Sequence, residues 1–198
     1  MLELLHRKER IILTTIEVID EYGIQGFSTR EIARRQGVSE STIFKHFSSK
    51  NELILAVLNH YSQYDHDIIQ STELKKIKGV EAITYLVGAY ATYYENYPAI
   101  TAITQVYDTL NINPELAGKI KEIFTTRIDA IEKLVCEAQE EGTISSDIDA
   151  EKLAITIISS FRTICLKWRM EGYSFSLKEY ILSTLKMLLD VFTKNPEN

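Results

Sequence analysis

The stretch GVSESTIFKHFSSKNEL runs from Gly37 to Leu53, in a chain of 198 residues whose formal net charge is −6. It holds two helix starts, at Ser39 and Ser49, and a basic cluster of Lys45, His46 and Lys50. In the short helix that Ser39 opens, Ile43 and Phe47 stand at i and i+4 and point one way. Glu40, Ser41, Thr42, Lys45 and His46 are polar. Immediately upstream, Ser28-Thr29-Arg30-Glu31 has the form of a capping box, with a serine hydroxyl for a free N–H and a glutamate that reaches back. It predicts a helix from about 29 to 36, which Gly37 interrupts. Helix, short turn, short helix is the outline of a helix-turn-helix, whose second helix enters the DNA major groove and reads base edges with its first residues. The same outline also describes a solvated helical hairpin whose charges are only surface. Pattern alone leaves both open.

Outward from this stretch, nearly every segment reads as helix. Leu5, Ile12, Ile16 and Ile19 make one apolar stripe at the helical period, ended by Gly23, with Gly26 allowing a turn. Ser49-Lys50-Asn51-Glu52 repeats the capping-box form and opens a fourth helix with Leu53, Ile54, Val57, Leu58 and Tyr61 on its buried face. A helix is expected over 79–96. Pro98 and Pro114 sit where first helical turns tolerate proline. Asn113 is the expected cap of a helix reaching about Glu141, and Asp149 of the next. The last helix carries Leu177, Ile181, Leu185, Leu188 and Phe192. The reading is all-α, about nine helices: an N-terminal three-helix domain over 1–50 and a larger helical domain over 51–198.

Composition sets bounds. The chain is 45% apolar and 25% charged, as in soluble globular proteins. No apolar run has the ~20 residues of a membrane span, and no export signal is evident, so a cytoplasmic protein is expected. Cys136 and Cys165 stand singly, like small core residues, and no metal or cofactor is expected. Residues 1–50 hold eight Lys/Arg against seven Asp/Glu; of the chain's 22 basic and 28 acidic residues this leaves 14 and 21 for the remainder. One end tolerates a polyanion, and the other repels it.

GIQGFSTREIARRQGVSESTIFKHFSSKNELILAV, residues 23–57, closely resembles the DNA-binding segment of the TetR family of regulators. The resemblance lies in the glycine before the capped STREIA, the GVS turn, the aromatic-x-His-Phe ending and the Ser-Lys that follows. It covers about residues 10–57; the rest of the chain matches in architecture only. It implies that Thr29, Thr42, His46 and Lys50 contact phosphates, while Arg30, Glu40, Ser41 and Lys45 read bases. Phe44 departs from the family's usual tyrosine and loses that hydroxyl's bond to a phosphate. The resemblance further implies a repressor that binds an inverted-repeat operator as a homodimer and is released by a small-molecule ligand held in the C-terminal domain. Candidate ligand residues are Tyr90, Tyr93, Tyr97 and Tyr107, which offer apolar walls with polar tips, and Arg162, which could receive a carboxylate. The last two helices are expected to form the dimer interface through Ile157, Ile158, Phe161, Cys165, Ile181, Leu185, Leu188 and Phe192.

Two rival readings exist. An enzyme would draw on HYSQYDHD, where His60 and Asp67 share a helix face but lie about 10 Å apart by helical rise, too far for one metal. A solvated helix end is the better reading there. The other rival is a ligand-binding or interaction protein of the same fold that no longer binds DNA. Retention of Thr29, Arg30, Lys45, His46 and Lys50 weighs against it.

Overall fold

The computed structural model describes residues 6–193; Leu5, first of the expected apolar stripe, lies outside them. Among the described residues there are ten α-helices: α1 (Arg7–Tyr22), α2 (Thr29–Gln36), α3 (Glu40–His46), α4 (Lys50–Leu74), α5 (Gly79–Asn96), α6 (Thr101–Gln105), α7 (Tyr107–Asn111), α8 (Pro114–Glu140), α9 (Ala150–Met170) and α10 (Leu177–Phe192). The all-α expectation holds. The count exceeds nine because the segment after Pro98 is not one helix: a 3₁₀ turn, Pro98–Ile100, precedes two five-residue helices. None of the described helices is long and apolar enough to cross a membrane.

The chain divides into two compact units. One comprises the residues through Tyr64 with Tyr97–Ile123, the other Asp65–Asn96 with the chain from Phe124 onward. In the first, Ile11, Ile16, Val18 and Ile19 of α1 are buried with Ile32, Ile43, Phe47, Leu53, Val57 and Leu58. Burying each such side chain stabilises by about 1.5–3 kcal/mol relative to exposure, so the period-3.6 stripes hold this unit together. Gly26 is required by close approach, since a Cβ there would lie 2.5 Å from the carbonyl oxygen of Tyr22. In the second unit, α5 packs against α10 and α10 against α9. Its core includes Ile83, Leu86, Val87, Val135, Ile157, Trp168, Ile181 and Leu185.

Some expected caps form and others do not. Asp149 Oδ1 accepts from the Lys152 N–H (3.0 Å), and Asn113 Oδ1 from the Glu115 N–H (3.0 Å), as expected. The capping box at Ser28 does not form. The serine makes no cap bond, and Glu31 is drawn instead to Arg34 and Arg35 on its own helix. Ser39 likewise makes no cap bond; its hydroxyl bonds those of Ser41 (2.7 Å) and Thr42 (3.0 Å). At α4 half the expected box is present. Ser49 Oγ accepts from the Glu52 N–H, but Glu52 reaches the N–H and hydroxyl of Ser48.

HYSQYDHD is not a helix end. It lies inside α4, and Asp65 is only 3% exposed. Its carboxylate accepts two bonds from Arg127 of α8, from Nη2 at 2.7 Å and Nε at 3.0 Å. His66 and Asp67 are exposed.

Candidate nucleic-acid interface

The turn between α2 and α3 is built by Gly37, whose φ of 63° lies in the left-handed region that costs an L side chain about 1–2 kcal/mol. The N–H groups of Gly37 and Val38 close back onto the end of α2, at Arg34 O (3.2 Å) and Ala33 O (3.0 Å). Ile43 and Phe47, each 1% exposed, anchor α3 inward. The anchoring turns Glu40, Ser41 and Lys45 to solvent, with Arg30 at the start of α2 and Lys50 at the start of α4 also exposed. Thr42 and His46 are half-buried. Lys50 Nζ stands 5.7 Å over the Phe27 ring, which braces the lysine stem without neutralising it.

Arg34 and Arg35 are otherwise employed. Arg34 donates to Glu31 from Nε (2.8 Å) and Nη2 (2.7 Å). Arg35 holds Glu31 through Nε (2.8 Å) and Glu21 through Nη1 (2.7 Å) and Nη2 (2.5 Å). The bonds from Arg34, then Arg35, hold the Glu31 carboxyl down at about 2. Spacing within α2 makes the Glu31 contacts legible, at i+3 and i+4; the bridge to Glu21 on α1 is not. What is left is selective: one exposed cation on α3, Lys45, beside small hydroxyls, with Arg30 and Lys50 exposed on the neighbouring helices.

Thr29, expected at a phosphate, is buried in the free protein. It is 3% exposed, and its hydroxyl donates a hydrogen bond to the Glu40 carboxylate. In the free protein that hydroxyl is committed within the reading head.

The expected ligand residues fall in both units. Tyr97 and Tyr107 belong to the first, where Tyr107 is buried with its ring edge-on to Tyr61, 6.3 Å between centroids. Burial raises the Tyr97 phenol well above its ordinary value, with Glu17 adding. Tyr90 and Tyr93 belong to the second, with Arg162, which is half-buried on α9. Tyr90 is 7% exposed, and burial pushes its phenol far up, against the opposing Arg127 charge. Sequence reading missed Arg127, which ties this region together. Beyond the Asp65 pair, its Nη1 donates to the Tyr94 hydroxyl (2.8 Å), and its guanidinium carbon lies 5.0 Å from the Tyr90 ring centre.

The second unit holds a cavity of about 450 Å³ formed by the end of α4, the start of α5 and α8. Ile69, Thr72, Ile77, Leu86, Ala130 and Leu134 line it, with Lys76, Lys78, Lys133, Glu73 and Glu137. None of the five expected ligand residues is among them. Lys133 pairs with Glu73 at 2.9 Å, and Lys78 with Glu141 at 3.5 Å. No group of three metal-ligating side chains occurs among the described residues.

On the last two helices the expected interface residues need correction. Ile157, Cys165, Ile181 and Leu185 are at most 4% exposed and belong to the protomer's own core. Phe161 is half-buried with its ring 5.4 Å from that of Tyr94; Ile158, Leu188 and Phe192 are half-buried too. The exposed apolar residues lie on the neighbouring face. They are Ile155, Leu166 and Met170 (79% exposed) on α9 and Tyr180, Met187 (67%) and Val191 (73%) on α10, each series at helical spacing.

Comparison with known proteins matches this geometry. Residues 11–57 match the model for bacterial regulatory proteins of the tetR family, and residues 67–191 the YsiA-like protein, C-terminal region. The fatty acid metabolism regulator protein of Bacillus subtilis is 21% identical over 91% of this chain and 92% of its own. The solved structure of FadR from Bacillus subtilis in complex with stearoyl-CoA superposes with a TM-score of 0.80 at 21% identity, covering 92% of this chain and 98% of that one. The ketosteroid transcriptional regulator KstR2 of Mycobacterium tuberculosis gives 0.84 at 18% identity, over 97% of each chain. At such identities the structural likeness speaks for the fold, and the two family models, which together span most of the sequence, carry the assignment. The chain belongs to the TetR family of bacterial regulatory proteins and is a DNA-binding transcriptional regulator.

Proposed function

We propose that the protein is a repressor that binds an inverted-repeat operator as a homodimer and leaves it when a small amphipathic anion binds in the second unit. The observation that carries the DNA half is the polar face of α3, held outward by the buried Ile43 and Phe47. Arg30 and Lys45 donate to guanine edges, and Ser41 and Glu40 complete the reading set; each good pair discriminates by about 1–3 kcal/mol. Thr42, His46 and Lys50 serve phosphates, and Thr29 joins them once its hydroxyl is released. Two-fold symmetry sets the two reading helices one DNA turn apart, roughly 34–36 Å.

The dimer forms through the exposed apolar stripes of α9 and α10, on Met170, Leu166, Tyr180, Met187 and Val191, in place of the buried stripe beside them. Clustered apolar side chains at this exposure mark an interaction surface.

For the effector, the cavity by α4, α5 and α8 combines an apolar wall with three lysines, two of which are paired with Glu73 and Glu141 and would be turned to an anionic head on binding. That suits a long apolar chain ending in an anionic head, as an acyl-CoA has. The likeness to a FadR solved with stearoyl-CoA agrees with this class. The tyrosines Tyr90, Tyr93, Tyr97 and Tyr107, with Arg162, stand as a further candidate lining. Binding shifts the tilt of α4, the continuous helix that starts at Lys50, and a coupling of about 1–3 kcal/mol releases the operator severalfold to a hundredfold.

The test is selection of bound duplexes from a random library by the purified, ligand-free protein at physiological salt, followed by titration of the enriched complex with acyl-CoAs of graded length and with free CoA. An enriched inverted repeat released by long acyl chains supports the reading. Absence of any enriched sequence contradicts the repressor assignment, and release by free CoA alone contradicts the amphipathic ligand.

A further inference from the structure

The bond between Thr29 and Glu40 joins the first residue of α2 to the first residue of α3. It places the one carboxylate of α3 against the hydroxyl of a threonine that is 3% exposed. Glu40 itself is exposed and has no cationic partner among the ion pairs described. The arginines of α2, Arg34 and Arg35, are held by Glu31 and Glu21, and Glu40 is bonded to the threonine. An exposed carboxylate on a DNA-facing surface opposes a polyanion, and one that also occupies a hydroxyl donor removes a contact the DNA backbone could use.

We propose that Glu40 is an internal stand-in for a DNA phosphate: by holding the Thr29 hydroxyl in the free protein it makes tight docking conditional on a base that draws Glu40 away, and so sets specificity. The assignment rests on the reading above that α3 enters the major groove with Thr29 beside the backbone. On a site that presents a cytosine amine to α3, Glu40 swings to accept from it, and the Thr29 hydroxyl passes to a phosphate. Two new bonds replace one. On any other sequence Glu40 either keeps the threonine, and the phosphate contact is missing, or gives it up and faces the DNA unsatisfied. The penalty falls on non-cognate DNA, where an acidic residue in a reading head is of use.

The experiment measures affinities of the full-length protein at one fixed salt concentration for the enriched operator and for a scrambled duplex of equal length, in four forms: wild type, Glu40→Gln, Thr29→Val and the double variant. Glutamine keeps the side chain's size but removes the charge, so its hold on the Thr29 hydroxyl weakens and the hydroxyl is freed for a phosphate. Thermal midpoints of the four forms establish that each is folded. The expected result is that Glu40→Gln tightens the scrambled duplex roughly fivefold, the scale of one charge-assisted hydrogen bond exchanged, and lowers the operator-to-scrambled ratio. In the Thr29→Val background most of that gain disappears. An equal gain in both backgrounds overturns the proposal, because Glu40 then acts by plain repulsion. No gain in either also overturns it. Binding by the wild type with unaltered variants rejects the stand-in alone, whereas failure of all four forms on every duplex rejects the DNA-binding geometry and the stand-in together.

Discussion

The two compact units handle charge in opposite ways. The first places Arg30, Lys45 and Lys50 in solvent, and of the arginines paired on α2, Arg34 is exposed and Arg35 half-buried. The second buries Asp65 against Arg127, with side-chain exposures of 4% and 14%. Exposed pairs contribute little to stability, typically 0–1 kcal/mol, so charges in the reading head are available for a partner. A buried pair carries a desolvation cost that only the matching partner offsets. Substitutions in one unit should therefore change binding without changing folding, and in the other should change folding first.

The largest effect should come from Arg127→Met. It strands a buried carboxylate, and a loss of about 3–5 kcal/mol is expected in denaturant titration. Adding Asp65→Leu should recover most of it. A single-variant loss within about 0.5 kcal/mol would erase the contrast between the units. Next is the distinction between the two apolar stripes of α10. Leu185→Ala should cost about 2–5 kcal/mol as a core truncation. Met187→Glu should leave a folded chain that no longer dimerises, read by light scattering; dimerisation lost with Leu185→Ala and kept with Met187→Glu would reverse the assignment of the faces. Third, Arg30→Ala and Lys45→Ala should each lower operator affinity by about 1–3 kcal/mol while the thermal midpoint stays put. Smallest is a matter of reactivity. Burial pushes the Cys165 thiol up to about 12, and Cys136 is exposed, so one thiol per native chain should react with a disulfide reagent at pH 8 and two after denaturation. The raised value keeps Cys165 protonated there, and only the thiolate attacks.

The contrast also explains what was legible in the sequence. The head is local. Ile43 and Phe47 are four residues apart, Gly37 sits between two short helices, and the polar residues of α3 follow from where its anchors point. Its cap hydroxyls are not legible because neighbouring side chains compete for the same partners: Glu31 has two arginines one turn away, and Ser39 has Ser41 and Thr42. The second unit depends on distant pairs. Asp65 and Arg127 are 62 positions apart, and nothing in HYSQYDHD distinguishes a buried aspartate from a solvated one. On α9 and α10 the apolar stripe is broad enough to serve two faces. Periodicity locates the stripe but does not say which edge the chain itself covers, and so it does not show that Ile157, Cys165, Ile181 and Leu185 face inward. The break of the chain after Pro98 into short pieces was hidden by a composition that would equally suit one helix.

The Asp65–Arg127 pair also has a consequence for how such a sequence drifts. Either partner lost alone lands on an unstable intermediate, while loss of both lands near the starting stability. Single substitutions therefore meet a valley that only a simultaneous double change crosses. The pair would persist through long lineages whether or not any ligand or operator depends on it. Its persistence in an alignment of relatives would record that valley, and should not be taken by itself as the mark of an effector site.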